Sequence, residues 1–181
     1  MDIPEGESVG SVINLIFVAD GSLLLYLMVL ILLIISSGLI SGSEVAFFSI
    51  KGNQSHKFDE DNNRRHKLII ELLSRPRTLL ATILIANNVV NIAIVMVFAL
   101  LSAQYFNLLN PVIEFLVNIV AITFILVLLG EIIPKVYANR LNLRFATSMV
   151  YPMFYLTRML YPFSYFLVRF TSIIEKRISK K

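Results

Sequence analysis

The sequence predicts an all-α membrane protein: three transmembrane helices with a juxtamembrane helical belt, amino terminus outside and carboxyl terminus inside. Three observations predict it. The 181 residues are 57% hydrophobic with a mean hydropathy of +0.77, more apolar surface than an ordinary water-soluble domain carries. Three segments hold the roughly 20 apolar residues that a helix needs to cross a hydrocarbon core of ~30 Å. Every lysine and arginine falls on one side of those segments.

Residues 1–22 form an extracytoplasmic N-terminal segment, acidic at its start and without the basic n-region of a cleavable signal peptide. The first span, Leu23 to about Ser49, then serves as its own insertion signal. Thr78 to about Leu101 and Val112 to about Ile133 follow, so 23–133 is a three-span core. Between spans one and two, the loop 51–77 carries Lys51, Lys57, Arg64, Arg65, Lys67, Arg75 and Arg77; the other nine basic residues all follow Pro134. Basic flanks stay cytoplasmic, which places this loop and residues 134–181 inside, in the cell (inner) membrane of a multi-pass protein.

The stretch Phe145 to Ile174 is apolar enough to compete as a kinked fourth span. Crossing would put Arg169, Lys176, Arg177, Lys180 and Lys181 outside, against the charge rule. Pro152 and Pro162 are expected to break it into short pieces, Arg158 sits in its middle, and its tyrosines and phenylalanines suit the headgroup zone. Juxtamembrane helices along the inner interface are the better reading.

Composition excludes several chemistries. There is no cysteine, hence no disulfide framework and no thiolate site. His56 and His66 lie in the polar loop, outside any zinc spacing. An intramembrane serine hydrolase lacks a histidine or lysine at depth to act as base. The net charge of +4 is explained by topology rather than by nucleic acid, and the juxtamembrane basic clusters fit anionic membrane lipid.

Each span carries a polar cluster, and polar groups at membrane depth call for partners. In the first, "ISSGLISGSEVAFFS" puts Ser37, Ser41 and Glu44 on one helix face, with Ser43 pointing elsewhere. Gly38 and Gly42 are four apart, a spacing that admits a neighbouring helix; plain packing, with serines bonded back to their own carbonyls, is the rival reading. In the second, Asn87, Asn88 and Asn91 fall within about a third of the circumference. In the third, "GEIIPK" joins Gly130, Glu131, Pro134 and Lys135. Pro134 has no N–H, so α spacing leaves the Gly130 carbonyl without its donor, and Glu131 adds an anionic oxygen beside it. A simple Glu131–Lys135 pair at i+4 is the alternative. Glu114 and Asn118 sit near the outer mouth and are given no role.

All these donors are oxygens, which suit Mg²⁺, Ca²⁺ or Na⁺. At ~1.5 Å per residue, Ser37 and Ser41 fall in the inner half, Asn88 and Asn91 nearer the middle and Glu131 near the inner edge, leaving one or two turns to be closed by tilt.

Together, "SGLISGSEVAFFSI", "LLATILIANNVVNIAI" and "GEIIPKVYANR" resemble the signature segments of the transmembrane domain of the CorB/CorC and cyclin M (CNNM) magnesium transport proteins, over nearly the whole chain. The resemblance implies a homodimer and an inward-accessible Mg²⁺ site formed by Ser37, Ser41 and Ser43, Asn88 and Asn91, and Gly130 and Glu131, with Gly42, Asn87, Pro134 and Lys135 in support. It implies Mg²⁺ export coupled to Na⁺, and no enzymatic reaction. Glu44 is typical of the bacterial branch only. Family members continue into cytosolic CBS domains, whereas this sequence stops at "EKRISKK"; it is expected to be the membrane part of a longer protein. A non-transporting dimeric module for Mg²⁺ sensing or regulation is the alternative, and a channel a third.

Overall fold

A computed structural model describes residues 7–50, 64–105 and 110–178. The His56 part of the basic loop, the last three residues and the Glu114 side chain lie outside the described residues. Those described are almost entirely helical, with three helices long and apolar enough to cross a membrane: Gly21–Phe48, Pro76–Gln104 and Phe115–Arg140.

The chain runs α1 (Glu7–Phe48), α2 (Arg64–Ser74), α3 (Pro76–Tyr105), α4 (Pro111–Ile125), a π-helical segment (Leu126–Ile132), α5 (Ile133–Arg140), α6 (Asn142–Met159) and α7 (Tyr161–Ile178). Local signals set several of these ends. Pro76 opens α3 and Pro111 opens α4, positions where a missing N–H loses nothing. Asn110 caps α4 by accepting from Val112 N at 2.9 Å. Part of the basic loop is itself helical: α2 has a polar face and buries Ile69 and Leu72, which is why His66 is helical.

The third crossing is one continuous helix in which a π segment separates two α segments. Its middle widens to i→i+5 bonding, and Ile133 N–H donates to Leu128 O. Such π segments are rare and recur at functional sites. Pro134 follows directly, and its ring cannot supply the next bond.

Two apolar clusters hold the bundle; at membrane depth their stabilisation comes from close van der Waals packing rather than from removal of apolar surface from water. Leu30, Ile94, Ile122 and Leu126 pack together in one half of the membrane part. Phe47, Ile69, Leu79, Val150 and Met153 belong to a larger cluster on the basic side, where α2 and α6 cover the ends of α1 and α3. Small residues let the helices approach. A Cβ at Gly38 would stand 2.9 Å from Pro134 Cγ, and one at Gly42 would stand 2.7 Å from Phe145 Cζ. The glycine pair therefore seats α5 and α6 in turn along one groove of α1.

The stretch after Arg140 forms two 18-residue helices rather than one crossing. The turn lies at Leu160 (φ −88°, ψ 6°), just before Pro162. Pro152 does not break the helix as the sequence reading expected. It is exposed, so the carbonyl it leaves without a donor is not sealed in the core, and Met149, Val150 and Met153 around it are buried and hold α6 against the bundle. A hydrogen bond of 2.8 Å between the buried hydroxyls of Thr82 and Ser164 ties α7 to α3.

Candidate metal centre

Between the two apolar clusters lies a polar layer contributed by all three crossing helices. Ser37 on α1 is fully buried. Its hydroxyl donates to Asn91 Oδ1 at 2.7 Å, with Asn87 Oδ1 as a second acceptor at 3.2 Å. A hydroxyl has one proton, so the shorter contact holds it and Asn87 is left partly satisfied. Asn91 passes the chain on, its Nδ2 donating to Glu131 Oε1 at 3.4 Å. Gly130 is buried against Ser37: a Cβ there would meet Ser37 Oγ at 3.1 Å. Ser37, Asn87, Asn91, Gly130 and Glu131 are thus brought together.

The depth mismatch expected from sequence is absent because the third crossing runs on to Arg140. Glu131 lies nine residues before that end, about 13 Å of helix, and so within hydrogen-bond reach of Asn91. The widened register also moves the unmatched carbonyl. With Ile133 bonded to Leu128, the acceptor facing Pro134 is Leu129 O, one residue before the Gly130 O that α spacing gives. Leu129 O points at α1, 3.3 Å from where a Gly38 Cβ would be.

The other candidate residues are placed differently. Ser41 is buried one turn from Ser37, and its Oγ has no hydrogen-bond partner among the described residues; a native fold rarely leaves a buried hydroxyl so. Ser43 donates to Leu39 O of its own helix at 2.7 Å. Asn88 is exposed, and its Nδ2 returns to Leu84 O at 2.8 Å. Lys135 pairs with Glu44 at 3.0 Å rather than with Glu131, both side chains more than a third exposed. No cationic side chain is paired with Glu131 among the described residues.

Asn118 donates to Ser102, joining α4 to α3 away from the polar layer. Sequence reasoning gave Asn118 no partner, since Ser102 carries no pattern of its own. The Glu44–Lys135 pair was equally hidden, because its members are far apart in the chain. Among the described residues, no three of His, Cys, Asp or Glu converge; the carboxylate hydrogen-bonded into the layer is Glu131, and Ser37, Asn87 and Asn91 are neutral.

The spacing can be compared with what ions require. Adjacent oxygens of an octahedron with arms of 2.0–2.1 Å stand about 2.9 Å apart, and with the 2.3–2.6 Å arms of sixfold Ca²⁺ about 3.3–3.7 Å. The two contacts of Ser37 Oγ, 2.7 and 3.2 Å, are ordinary hydrogen-bond lengths, so an ion bound here would require the hydroxyl to turn its proton away and present its lone pairs.

Fold and polar layer together define a three-span helical membrane domain with a partly buried polar cluster. Residues 28–181 match the model of the cyclin M transmembrane N-terminal domain, and the chain belongs to that family, one tied to metal-ion transport across membranes and composed of transporters or regulators rather than typical enzymes. It is also 29% identical over 110 residues to a "UPF0053 protein" of Haemophilus influenzae, an alignment covering 61% of this chain and 25% of that protein. The chain thus spans about a quarter of the length of this curated relative.

Proposed function

We propose that this domain carries Mg²⁺ across the cell membrane, exporting it against Na⁺ entry, with the basic ends of its helices cytoplasmic. The observation that supports this reading is the continuous hydrogen-bonded chain from Ser37 through the Asn91 amide to Glu131, with Asn87 and the unpartnered Ser41 hydroxyl beside it. Mg²⁺ sheds water reluctantly, so a close set of oxygens around one uncompensated carboxylate is a suitable device. A single negative charge favours passage over retention. Alternating access would come from the π segment and Pro134, where the third helix can change register without breaking a regular ladder. A homodimer, surrounding lipid and cytosolic CBS domains in the full-length protein belong to the same proposal.

In this reading Ser37, Asn87, Asn91 and Glu131 contact the ion. Ser41 joins them from the next turn, and Gly130 leaves them room. Asn88 and Ser43 take part only if their side chains leave the backbone carbonyls they now bond. The test is Mg²⁺ flux in proteoliposomes with and without a Na⁺ gradient. Wild-type transport by Glu131→Ala or Asn91→Ala would count heavily against the assignment, and flux indifferent to Na⁺ would make the protein a channel.

One feature favours a second reading, a non-transporting regulatory module. Hydrogen bonds from Ser37 to the α3 asparagines are also how polar side chains join membrane helices. Mg²⁺-dependent thermal stabilisation in detergent separates the two, because helix glue binds no ion and gains nothing by mass action.

A further inference from the structure

The basic end of the bundle carries a second concavity, mostly apolar in its lining but with charged residues among it, that shares no lining residue with the serine and asparagine layer. Arg158 is a charge in the midst of an aromatic stretch, and it lines a cavity of about 310 Å³ with Arg75, Glu71 and Thr157, against an apolar wall that includes Leu79 and Phe154. Neither arginine side chain has a hydrogen bond or ion pair among the described residues. Thr157 Oγ1 is buried without a hydrogen-bond partner, which is unfavourable until something bonds to it.

We propose that this cavity binds the phosphodiester headgroup of an anionic phospholipid from the leaflet on the basic side. Guanidinium forks match phosphate oxygens in geometry as well as charge, and the Thr157 hydroxyl adds a neutral donor. Arg75 directly precedes the crossing helix that starts at Pro76, which is headgroup level. From there Leu79 and Phe154 continue the wall in the direction of the hydrocarbon, where an acyl chain runs. Two guanidiniums against one carboxylate suit a singly charged headgroup, and Glu71 can accept from the hydroxyls of a glycerol head. Free phosphate shares the charge chemistry but makes no use of the apolar wall. Basic pockets between membrane helices hold lipid heads in this way.

The experiment is a thermal-shift titration of the purified chain in detergent with short-chain phosphatidylglycerol, short-chain phosphatidylcholine and inorganic phosphate, alongside native mass spectrometry of lipid retained through purification. Phosphatidylglycerol is expected to stabilise saturably, phosphatidylcholine far less, and phosphate only weakly. Arg75→Gln and Arg158→Gln are expected to weaken the apparent affinity by about fivefold each, Thr157→Val to weaken it less, and Arg144→Gln, outside the cavity, to leave it unchanged. Equal responses to phosphatidylglycerol and phosphatidylcholine, equal saturation by phosphate alone, or unaltered affinity in the Arg75→Gln, Arg158→Gln double variant would each overturn the proposal. The wild-type arms decide it even if that variant fails to fold.

Discussion

Ser37 has one proton and two asparagine oxygens competing for it, so its removal reaches both. Ser37→Ala keeps the backbone and the close approach of Gly130 but leaves two partly buried amide oxygens without that donor. Losing a buried donor costs about 1–3 kcal/mol, and the variant is expected to melt earlier in detergent and to lose the Mg²⁺-dependent part of its stabilisation. Asn88→Ala is the contrast, since that side chain is exposed and bonded within its own helix. It is expected to leave melting within about 0.5 kcal/mol of wild type, with Mg²⁺ stabilisation retained. A loss equal to that of Asn91→Ala would show that Asn88 turns inward when the ion binds. Lys135→Ala removes a pair that is more than a third exposed on both sides and should cost about 0–1 kcal/mol. It should also leave Glu131 functional, because Glu44, not Glu131, is the lysine's partner.

At the level of the helices, the groove of α1 and the widened turn opposite it act as one fitting. Gly38 receives Pro134 and faces Leu129 O, so the register of the third helix is shaped by a close contact as well as by the missing N–H. Pro134→Ala returns a donor and is expected to narrow the turn toward α spacing. The variant should fold at least as stably, yet lose Mg²⁺ flux if the π segment is what moves. Gly38→Val attacks the same contact from the other side, and overpacking of this kind costs about 1–3 kcal/mol, read as a lower melting temperature. The three spans and the glycine groove were legible in sequence because hydropathy and spacing are local. Which asparagine faces inward was not, because Asn87 and Asn88 differ by a single 100° step and only the position of α1 chooses between them. The partner of Lys135 escaped for the same reason: Glu44 becomes its neighbour only once α1 and α5 are packed. Pro152 misled because a proline's effect depends on exposure and on buried neighbours, which sequence does not show.

For the molecule as a whole, function depends on which end faces the cytoplasm, since the direction of ion movement is defined by it. All sixteen lysines and arginines lie in the loop 51–77 or after Pro134, and of the described parts of these regions α2 and α6 pack at the end of the bundle where α1 finishes and α3 begins. Turning the protein over would carry that charge across the membrane and place the two-arginine cavity in the opposite leaflet. The chain contains no cysteine, so single reporters can be introduced on an otherwise silent background. Gln104→Cys lies at the far end of α3 and Ser74→Cys at the end of α2, both at exposed positions. In intact cells a membrane-impermeant maleimide is expected to label the first and to reach the second only after permeabilisation. The opposite pattern would invert the topology, turning the proposed export into import and moving the lipid site to the outer leaflet. Labelling of both from outside would mean a mixed population, for which neither the charge rule nor a single direction of transport holds.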